Sequence, residues 1–437
     1  VTAIYAKFLD WDMSTFAWIG ITSIITDDAD KGSSPGDSGS DKDLLDALNI
    51  NATTPSFNEI WRANYKGINR ANQALEFIPK LDKANTNLRS RLIGEAKFLR
   101  AFMYFTLVKG WGGVPIVDKV ADASNETDRQ MLLSRRSKEE VYAFIIKDLE
   151  EAAAALPEKS AYTGADVGRA TKGAAYALLA KVYLYQKNWT KVIENCDKVV
   201  GYSLTPNFQD IYKVSGENNA ESIFEIQGFG GASMPGIQQY SQVQGARGAG
   251  GWGWGFNTPS QSLVDAYNSE GDLIRRNATI IMKPTTLYDG RVVPSTVENN
   301  YYNYKAYSSN FTGSDDSDAN IRYLRYSEVL LMRAEALNEQ NQTANAATFL
   351  NQVRTRAGLA GTTATTQVAM RAAIYKERRL ELAMEHDRWF DLIRTGQAQA
   401  AMTANGKTFI VGRHELFPIP QSFIDEAKGM SVQNPGY

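Results

Sequence analysis

The chain has 437 residues, of which 43% are hydrophobic and 22% are charged, so it has ample material for a packed core. Its formal net charge of −2 gives no indication of the concentrated basic surface that nucleic-acid binding needs. No apolar run approaches the roughly 20 residues that span a bilayer.

The N-terminal part is predicted to be helical. Aromatic and apolar residues recur at helical spacing over residues 4–28, and a polar loop rich in Gly, Ser and Asp follows over residues 29–43. The next helix is predicted over residues 56–78, where Ser56 and Glu59 have the spacing of a capping box. A second capping box, Ser-x-x-Glu, begins at Ser137 and predicts a helix that ends before Pro157.

Three segments along the chain share one composition: GEAKFLRAFMYF, GAAYALLAKVYL and SEVLLMRAEAL. Each combines large apolar, basic and small residues at helical spacing, and the last two are followed by a polar turn and a shorter helix. This pattern indicates helical hairpins of an irregular tetratricopeptide type. The predicted fold is therefore mainly α, with a curved scaffold of helical hairpins that carries other material between the repeats.

The most regular stretch runs from residue 323 to residue 396. Helices over residues 323–340 and 345–358 carry narrow faces of small and apolar residues, which is typical of a closely packed antiparallel pair. A single long helix is predicted over residues 370–396, with Gly358 and Gly396 at helix ends.

One face of that long helix is charged. Opposite charges lie three residues apart, which favours pairing along and between helices over acid–base catalysis. The four residues are Arg378, Glu381, Glu385 and Arg388.

Residues 201–320 lose the helical period, and Gly, Tyr, Asn, Ser and Pro become frequent. ESIFEIQ is predicted to be a short strand, and only LVDAYNSEGDLI resembles a helix. A loop-rich region of this length inside a domain is typical of a functional surface.

Several kinds of chemistry find no support in the residues. The two histidines, His386 and His414, exclude an HExxH site, and neither a nucleophile elbow nor a phosphate-binding loop is present. The Asp-rich stretches 27–43 and 313–320 lack the spacing of an EF-hand and are interpreted as solvated loops. The single Cys196 is predicted to be a buried, inert thiol. No metal and no cofactor is predicted.

The segment RGAGGWGWGFNTPS, residues 247–260, is the most informative local feature. Trp252, Trp254 and Phe256 alternate with glycines, and alternation in an extended chain predicts all three rings on one side. Glycine on the other side offers no packing partner, so we interpret the segment as an exposed platform on which sugar rings stack. The alternative, that the rings pack beneath the loop onto the scaffold, stays open.

The chain resembles the SusD/RagB family of outer-membrane lipoproteins of Bacteroidetes. The resemblance is strongest in YSEVLLMRAEALNE, FLNQVRTRAGL, ERRLELAMEHDRWFDLIRTG and HELFPIPQSFIDEAKGMSVQNPGY, and it extends to IWRANYKGINRANQALEFI and AKFLRAFMYFTLVKGWGGVPIV. It implies one SusD-like domain over residues 1–437, with a helical scaffold at 1–200 and 321–437. Residues 201–320 are then an insertion that contributes to the ligand face.

The resemblance also implies a function. Members are held at the cell surface by a lipidated N-terminal cysteine, and they pass captured glycans, or in some cases peptides, to a SusC-like TonB-dependent transporter. This chain begins at Val1 without that cysteine or a signal segment, so we interpret it as cut after the anchor. We therefore expect a non-enzymatic glycan-binding protein of the outer membrane, with a β-glucan as the first candidate ligand. A peptide receptor of the RagB type and a glycoside hydrolase are the alternatives.

The candidate site combines the aromatic segment with polar residues of the N-terminal loops. Two carboxylates are predicted to lie free where a helix meets a loop, and two amides lie in the loop before the first hairpin, a region that the family often uses. The candidate ligand-binding residues are Trp252, Trp254, Phe256, Asp27, Asp28, Lys31, Asn49 and Asn51.

Overall fold

Helices account for 54% of the chain in a computed structural model, which confirms the mainly α class. The structure describes residues 1–81, 85–229, 236–308 and 317–437. Within those ranges, every helix is too short or too polar to cross a membrane. The division of the chain into scaffold and insertion stays a prediction.

The helices carry the following bounds: α1 (Thr2–Lys7), α2 (Trp11–Ser14), α3 (Phe16–Ile19), α4 (Lys42–Asp46), α5 (Pro55–Phe77), α6 (Thr86–Trp111), α7 (Glu126–Leu133), α8 (Lys138–Ala155), α9 (Lys172–Tyr185), α10 (Trp189–Cys196), α11 (Tyr240–Gln244), α12 (Gln261–Glu270), α13 (Leu273–Thr279), α14 (Tyr326–Glu339), α15 (Thr343–Arg356), α16 (Gln367–Leu382), α17 (Arg388–Thr395), α18 (Ala398–Ala404) and α19 (Gln421–Ala427). A π-helical turn, Gly20–Ile24, follows α3 directly.

The long helices pack in succession. Helix α5 lies against α6, α6 against α8, α8 against α9, and α9 against α10, while α14 packs on α10, α15 and α16. Helices α5 and α6 approach closely at Gly67, where a Cβ atom would overlap the Met103 sulfur. Cys196, at the end of α10, is buried as predicted, and burial raises the pKa of its thiol.

Two capping boxes were predicted, and one of them is present in the structure. The Ser137 hydroxyl accepts from the Glu140 amide, and the Glu140 carboxylate accepts from the Ser137 amide, which confirms the predicted capping box of α8. The capping box predicted at Ser56 is wrong. Helix α5 begins one residue earlier, at Pro55, and the Ser56 hydroxyl donates to the buried Asp41 carboxylate at 2.7 Å.

The long helix predicted over residues 370–396 is broken between α16 and α17. Met384 and His386 both have left-handed backbone angles, with φ of 64° and 70°. His386 is buried between two hydroxyls, Thr22 Oγ1 at 2.9 Å from Nδ1 and Tyr240 OH at 2.9 Å from Nε2. Because Thr22 donates its proton to the Trp18 carbonyl, the imidazole carries its proton on Nδ1 and accepts from Tyr240 at Nε2.

The charged side chains of that region are largely buried, and the prediction that they pair is confirmed for contacts between elements. Glu381 and Glu385 both bind the buried Arg325, and Arg378 binds Glu328 and the Asp391 carboxylate of α17. These contacts run between elements and not along one helix.

The strands described are short and lie in two-stranded antiparallel pairs. They are β1 (Ala29–Gly32), β2 (Ser222–Ile226), β3 (Phe256–Pro259), β4 (Ile280–Met282), β5 (Thr285–Thr286), β6 (Val292–Val293), β7 (Tyr301–Asn303) and β8 (Ile321–Arg325). The pairs are β1–β3, β2–β8, β4–β7 and β5–β6. Strand β2 confirms the prediction for ESIFEIQ, whereas the helix predicted after it is divided at Gly271 into α12 and α13.

Two of these pairs connect distant parts of the sequence. Pairing of β1 with β3 joins the N-terminal loop to the end of the segment 247–260, with Ala29 opposite Pro259 and Gly32 opposite Phe256. Pairing of β2 with β8 joins the region after α10 to the start of the C-terminal hairpins. Of the predicted Asp-rich stretch 313–320, residues 313–316 lie outside the described ranges.

Candidate functional site

The Gly-rich segment, defined here as residues 247–256, is folded tightly on itself. The backbone amides of Trp252 and Gly253 both donate to the Ala246 carbonyl at 2.8 Å. A Cβ atom on Gly253 would overlap the Gly245 backbone, and Gly255 has φ of 77° with the Arg247 Cβ 2.8 Å from where its own would lie. The glycines are therefore required by close packing, and the prediction that they lack a packing partner is wrong.

Trp254 pairs with an indole from the N-terminus. Its ring centroid lies 6.1 Å from that of Trp11, with an angle of 58° between the ring planes, and Trp11 in turn packs on Phe16 at 5.5 Å. Both indoles are partly exposed. We name these two residues the Trp11–Trp254 pair.

Two glutamines contact the backbone of this pair, Gln238 through its side chain and Gln242 through its main-chain carbonyl. The Trp11 amide donates to the Oε1 of the exposed Gln238 at 2.6 Å, and the Trp254 amide donates to the Gln242 carbonyl at 2.9 Å. An aromatic wall with amide groups beside it is the combination that small-molecule sites use to bind an apolar face and its polar edge. The two acidic residues that flank Trp11 in sequence, Asp10 and Asp12, both bind Lys7.

Trp252 belongs to a different aromatic group. Its ring meets the edge of Tyr307 at 5.5 Å and lies under the Arg291 guanidinium at 5.1 Å. Tyr307 also contacts Tyr288 and Tyr304, which are stacked at 5.9 Å. Trp252 and Trp254 are thus both partly exposed, but they do not form one continuous row.

Phe256 is not part of an exposed surface. It is the first residue of β3, it is 5% exposed, and its ring packs on Phe16 at 4.7 Å. All four residues of β3 are buried, so Phe256 is enclosed where β3 pairs with β1. The prediction of three rings on one open side is therefore wrong for Phe256.

The carboxylates of Asp27 and Asp28 are buried and paired. Asp27 receives two hydrogen bonds from Arg388, at 2.8 and 2.6 Å, and Asp28 receives one from Arg379 at 2.7 Å. Burial acts to raise the pKa of Asp27, but Arg388 and Arg379 outweigh it and hold that pKa below its ordinary value. For Asp28 burial dominates, and the pKa is raised. The prediction that these carboxylates are free for a ligand is wrong.

Lys31 also has internal partners. Its ammonium forms an ion pair with Asp43 and lies 3.3 Å from the carbonyl oxygens of Ser34 and Asp37, so it closes the loop that follows β1. Only about a tenth of its side chain is exposed. The cation therefore holds the loop, which itself contacts the Gly-rich segment.

The two predicted amide ligands lie in an exposed loop. The Asn51 Oδ1 accepts from the Thr53 amide at 2.8 Å and from its hydroxyl at 2.7 Å, while Asn49 is exposed. The loop contacts the C-terminal segment, where the Arg413 guanidinium donates to the Ile50 carbonyl at 2.7 Å. Among the described residues, the hydrogen bonds of Asn49 and Asn51 stay within residues 44–54 and do not reach the Gly-rich segment, so the structure does not bring the predicted residues into one cluster.

The described ranges contain no group of three or more His, Cys, Asp or Glu side chains that could hold a metal ion.

Comparison with known proteins shows which family the chain resembles. Residues 288–437 match the SusD family, and residues 22–184 match the family described as starch-binding and associating with the outer membrane. The chain is SusD-like over both of these ranges.

Individual SusD-like proteins align over nearly the whole chain. A SusD-like protein of Formosa agariphila is 29% identical over 416 residues, which cover 86% of this chain and 80% of that protein. A laminarin-binding SusD-like protein has a solved structure with a TM-score of 0.83 and 28% identity, covering 100% of this chain and 98% of its own. Surface glycan-binding protein A of Bacteroides thetaiotaomicron, solved with laminarihexaose, has a TM-score of 0.82 and 25% identity and covers 99% and 97% of the two chains.

Trp11 and Gln238 are candidate residues that sequence reasoning missed. Trp11 lies in an aromatic stretch whose spacing is typical of a core helix, and its partner Trp254 is far away in sequence. The one available signal is that Asp10 and Asp12 flank Trp11, because charged residues on both sides of an indole are unusual for a fully buried ring.

Proposed function

We propose that this protein is a non-enzymatic surface glycan-binding protein whose ligand is a laminarin-type β-glucan. The observation that carries the proposal is the Trp11–Trp254 pair, two partly exposed indoles with the exposed side-chain amide of Gln238 beside Trp11. The C–H face of a glucose ring stacks on an indole, and amides bind its hydroxyls. Two solved relatives support the choice of sugar, since one binds laminarin and the other was solved with laminarihexaose.

Of the predicted residues, Trp252 and Trp254 remain in the proposed site, and Trp11 is added to them. Trp252 lies in the separate aromatic group around Tyr307 and is proposed as a second stacking position. The captured glycan is then delivered to a SusC-like TonB-dependent transporter at the outer membrane, to which a lipid anchor attaches the protein. The family description that mentions the outer membrane supports this location.

The test is retention of the protein in native gels that contain one polysaccharide each, with calorimetry for oligosaccharides. We expect retardation by laminarin and no binding to mannan, chitin fragments or peptides. A peptide that binds in place of every glycan would favour the receptor alternative. Release of reducing sugar from laminarin would show a hydrolase.

Indole variants locate the site. Aromatic contacts of this kind are worth about 1 kcal/mol each, so Trp11→Ala with Trp254→Ala should weaken laminarin binding about 30-fold. The matched control is Trp189→Ala, which removes another partly exposed indole at the start of α10 on the helical frame. Equal losses in both proteins would indicate a general effect on folding and would contradict the proposed site.

A further inference from the structure

Arg247 connects three parts of the chain at the Gly-rich segment. Its Nη1 donates to the Ser33 hydroxyl at 2.9 Å and to the Asp37 carboxylate at 2.6 Å, and its Nε lies 3.0 Å from the Glu298 carboxylate. The Ser34 hydroxyl donates to the same Glu298 at 3.1 Å. One guanidinium thus connects the N-terminal loop, the Gly-rich segment and the strand region before β7.

The backbone joins the same three parts. The Ser33 amide donates to the Gly255 carbonyl at 2.6 Å, and the Glu298 amide donates to the Arg247 carbonyl at 2.9 Å. The Thr296 hydroxyl donates to the Ala249 carbonyl at 2.8 Å. These bonds set the path of the segment on both sides of its two indoles.

Its glycines make the conformation of the segment costly to fix. Gly248, Gly250 and Gly255 have φ values of 101°, 85° and 77°, and residues 248–251 are exposed. Glycine backbone loses more conformational entropy on ordering than any other residue, so a fixed path needs contacts from outside the glycines. Arg247 supplies charged contacts at the first residue of the segment.

We infer that Arg247 is a positioning residue for glycan binding: its ion pairs hold the Gly-rich segment in the conformation that presents Trp252 and Trp254. The expected effect on glycan affinity rests on the proposed function, whereas the expected effect on the conformation of the segment does not. If the segment spends less time in the conformation that binds glycan, the apparent affinity for the glycan falls in the same proportion.

The ion pairs make this effect sensitive to salt. The side chains of Arg247, Asp37 and Glu298 are 32%, 39% and 42% exposed, so dissolved ions screen them. A β-glucan carries no charge, and its contacts with indoles and amides do not respond directly to ionic strength. Salt-dependent binding of an uncharged glycan would therefore report the Arg247 contacts.

The first experiment needs no ligand. Hydrogen exchange at the amides of residues 252–255 is measured for the wild type, Arg247→Met and Arg247→Lys in about 20 and 500 mM NaCl. We expect at least tenfold faster exchange in Arg247→Met, a smaller rise in the wild type at high salt, and partial recovery in Arg247→Lys. Unchanged exchange in Arg247→Met would overturn the inference. Glu298→Gln is the second variant, and it should raise exchange in the same amides.

The matched control is Arg333→Met. Arg333 is 31% exposed and pairs with Asp197 on the helical frame, so it resembles Arg247 in exposure and partner but does not contact the segment. Its removal should leave exchange at residues 252–255 unchanged. Faster exchange in this control as well would contradict a local role for Arg247.

The second experiment measures laminarin affinity in the same two salt concentrations. We expect wild-type binding to weaken severalfold at high salt, Arg247→Met to bind weakly in both, and Arg247→Lys to recover part of the affinity and of its salt dependence. The inference is refuted if Arg247→Met binds laminarin with the same affinity and the same salt dependence as the wild type. Failure of the wild type to bind laminarin would instead refute the proposed function, and the exchange experiment would still decide the role of Arg247.

Discussion

Asp27→Asn separates a structural role for the buried carboxylates from a ligand-binding role. The Asp27 side chain is 2% exposed, and its two oxygens accept from Arg388 at 2.8 and 2.6 Å and lie near Arg379 at 3.2 Å. The amide has the same shape, but it places an N–H group against a guanidinium and removes the charge that compensates Arg388. Removal of one partner from a buried ion pair costs about 3–5 kcal/mol.

The lower part of that range is expected, since Arg388 keeps Asp28 at 3.6 Å as a second partner. With an unfolding entropy of about 2.1 cal/mol/K per residue, the 437 residues give about 0.9 kcal/mol/K, so about 3 kcal/mol corresponds to a fall in Tm of about 3 °C. Differential scanning calorimetry measures this fall. The control, Asp197→Asn, breaks an exposed pair with Arg333 and should change Tm by less than about 1 °C.

The folded fraction of Asp27→Asn should bind laminarin with wild-type affinity. The reasoning is refuted if the variant melts with the wild type and yet loses laminarin retention, because Asp27 would then contact the ligand and not the frame.

Three further predictions concern the site, the helix packing and pH. Gly255→Ala should weaken laminarin binding several-fold in calorimetry with little change in Tm, because its φ of 77° and the Arg247 Cβ at 2.8 Å force the segment to move. Gly67→Ala should lower stability by about 1–2 kcal/mol in denaturant titrations without altering binding, because its Cβ overlaps Met103 between α5 and α6. Burial lowers the pKa of His386 to about 4, below the ordinary value of about 6.5, so stability is lost as pH falls from 6.5 toward 4 and only the unfolded state takes up the proton. His386→Asn, which tolerates the φ of 70°, should therefore show a smaller fall in Tm between pH 7 and pH 5.

The helical frame was predictable because its signals are local. The hairpin α14–α15 carries its period and its terminal Gly358 in the sequence, and the capping box of α8 is complete within four residues. The break before α17 was not predictable, because the left-handed His386 is held by Thr22, 364 positions away. The predicted cap at Ser56 failed for a related reason, since the Ser56 hydroxyl accepts from the Lys42 ammonium at 2.9 Å and donates to the Asp41 carboxylate.

The candidate site was only partly predictable. The Gly-rich segment was found from its composition, and Trp252 and Trp254 are partly exposed as a platform requires. Asp27 was placed correctly at the end of a helical stretch, but the sequence gives no sign that Arg388, 361 positions later, neutralises it. Trp11 was missed because tertiary packing decides which aromatic ring stays exposed, and helical periodicity does not encode that packing.

The most direct measurement of the central claim is a crystal structure of the protein with laminarihexaose. The account predicts electron density for at least one glucose ring stacked on the indole of Trp254 or Trp11, with hydroxyl contacts to Gln238. Density for the oligosaccharide at a surface that excludes both indoles, for example the loop of Asn49 and Asn51, would contradict it.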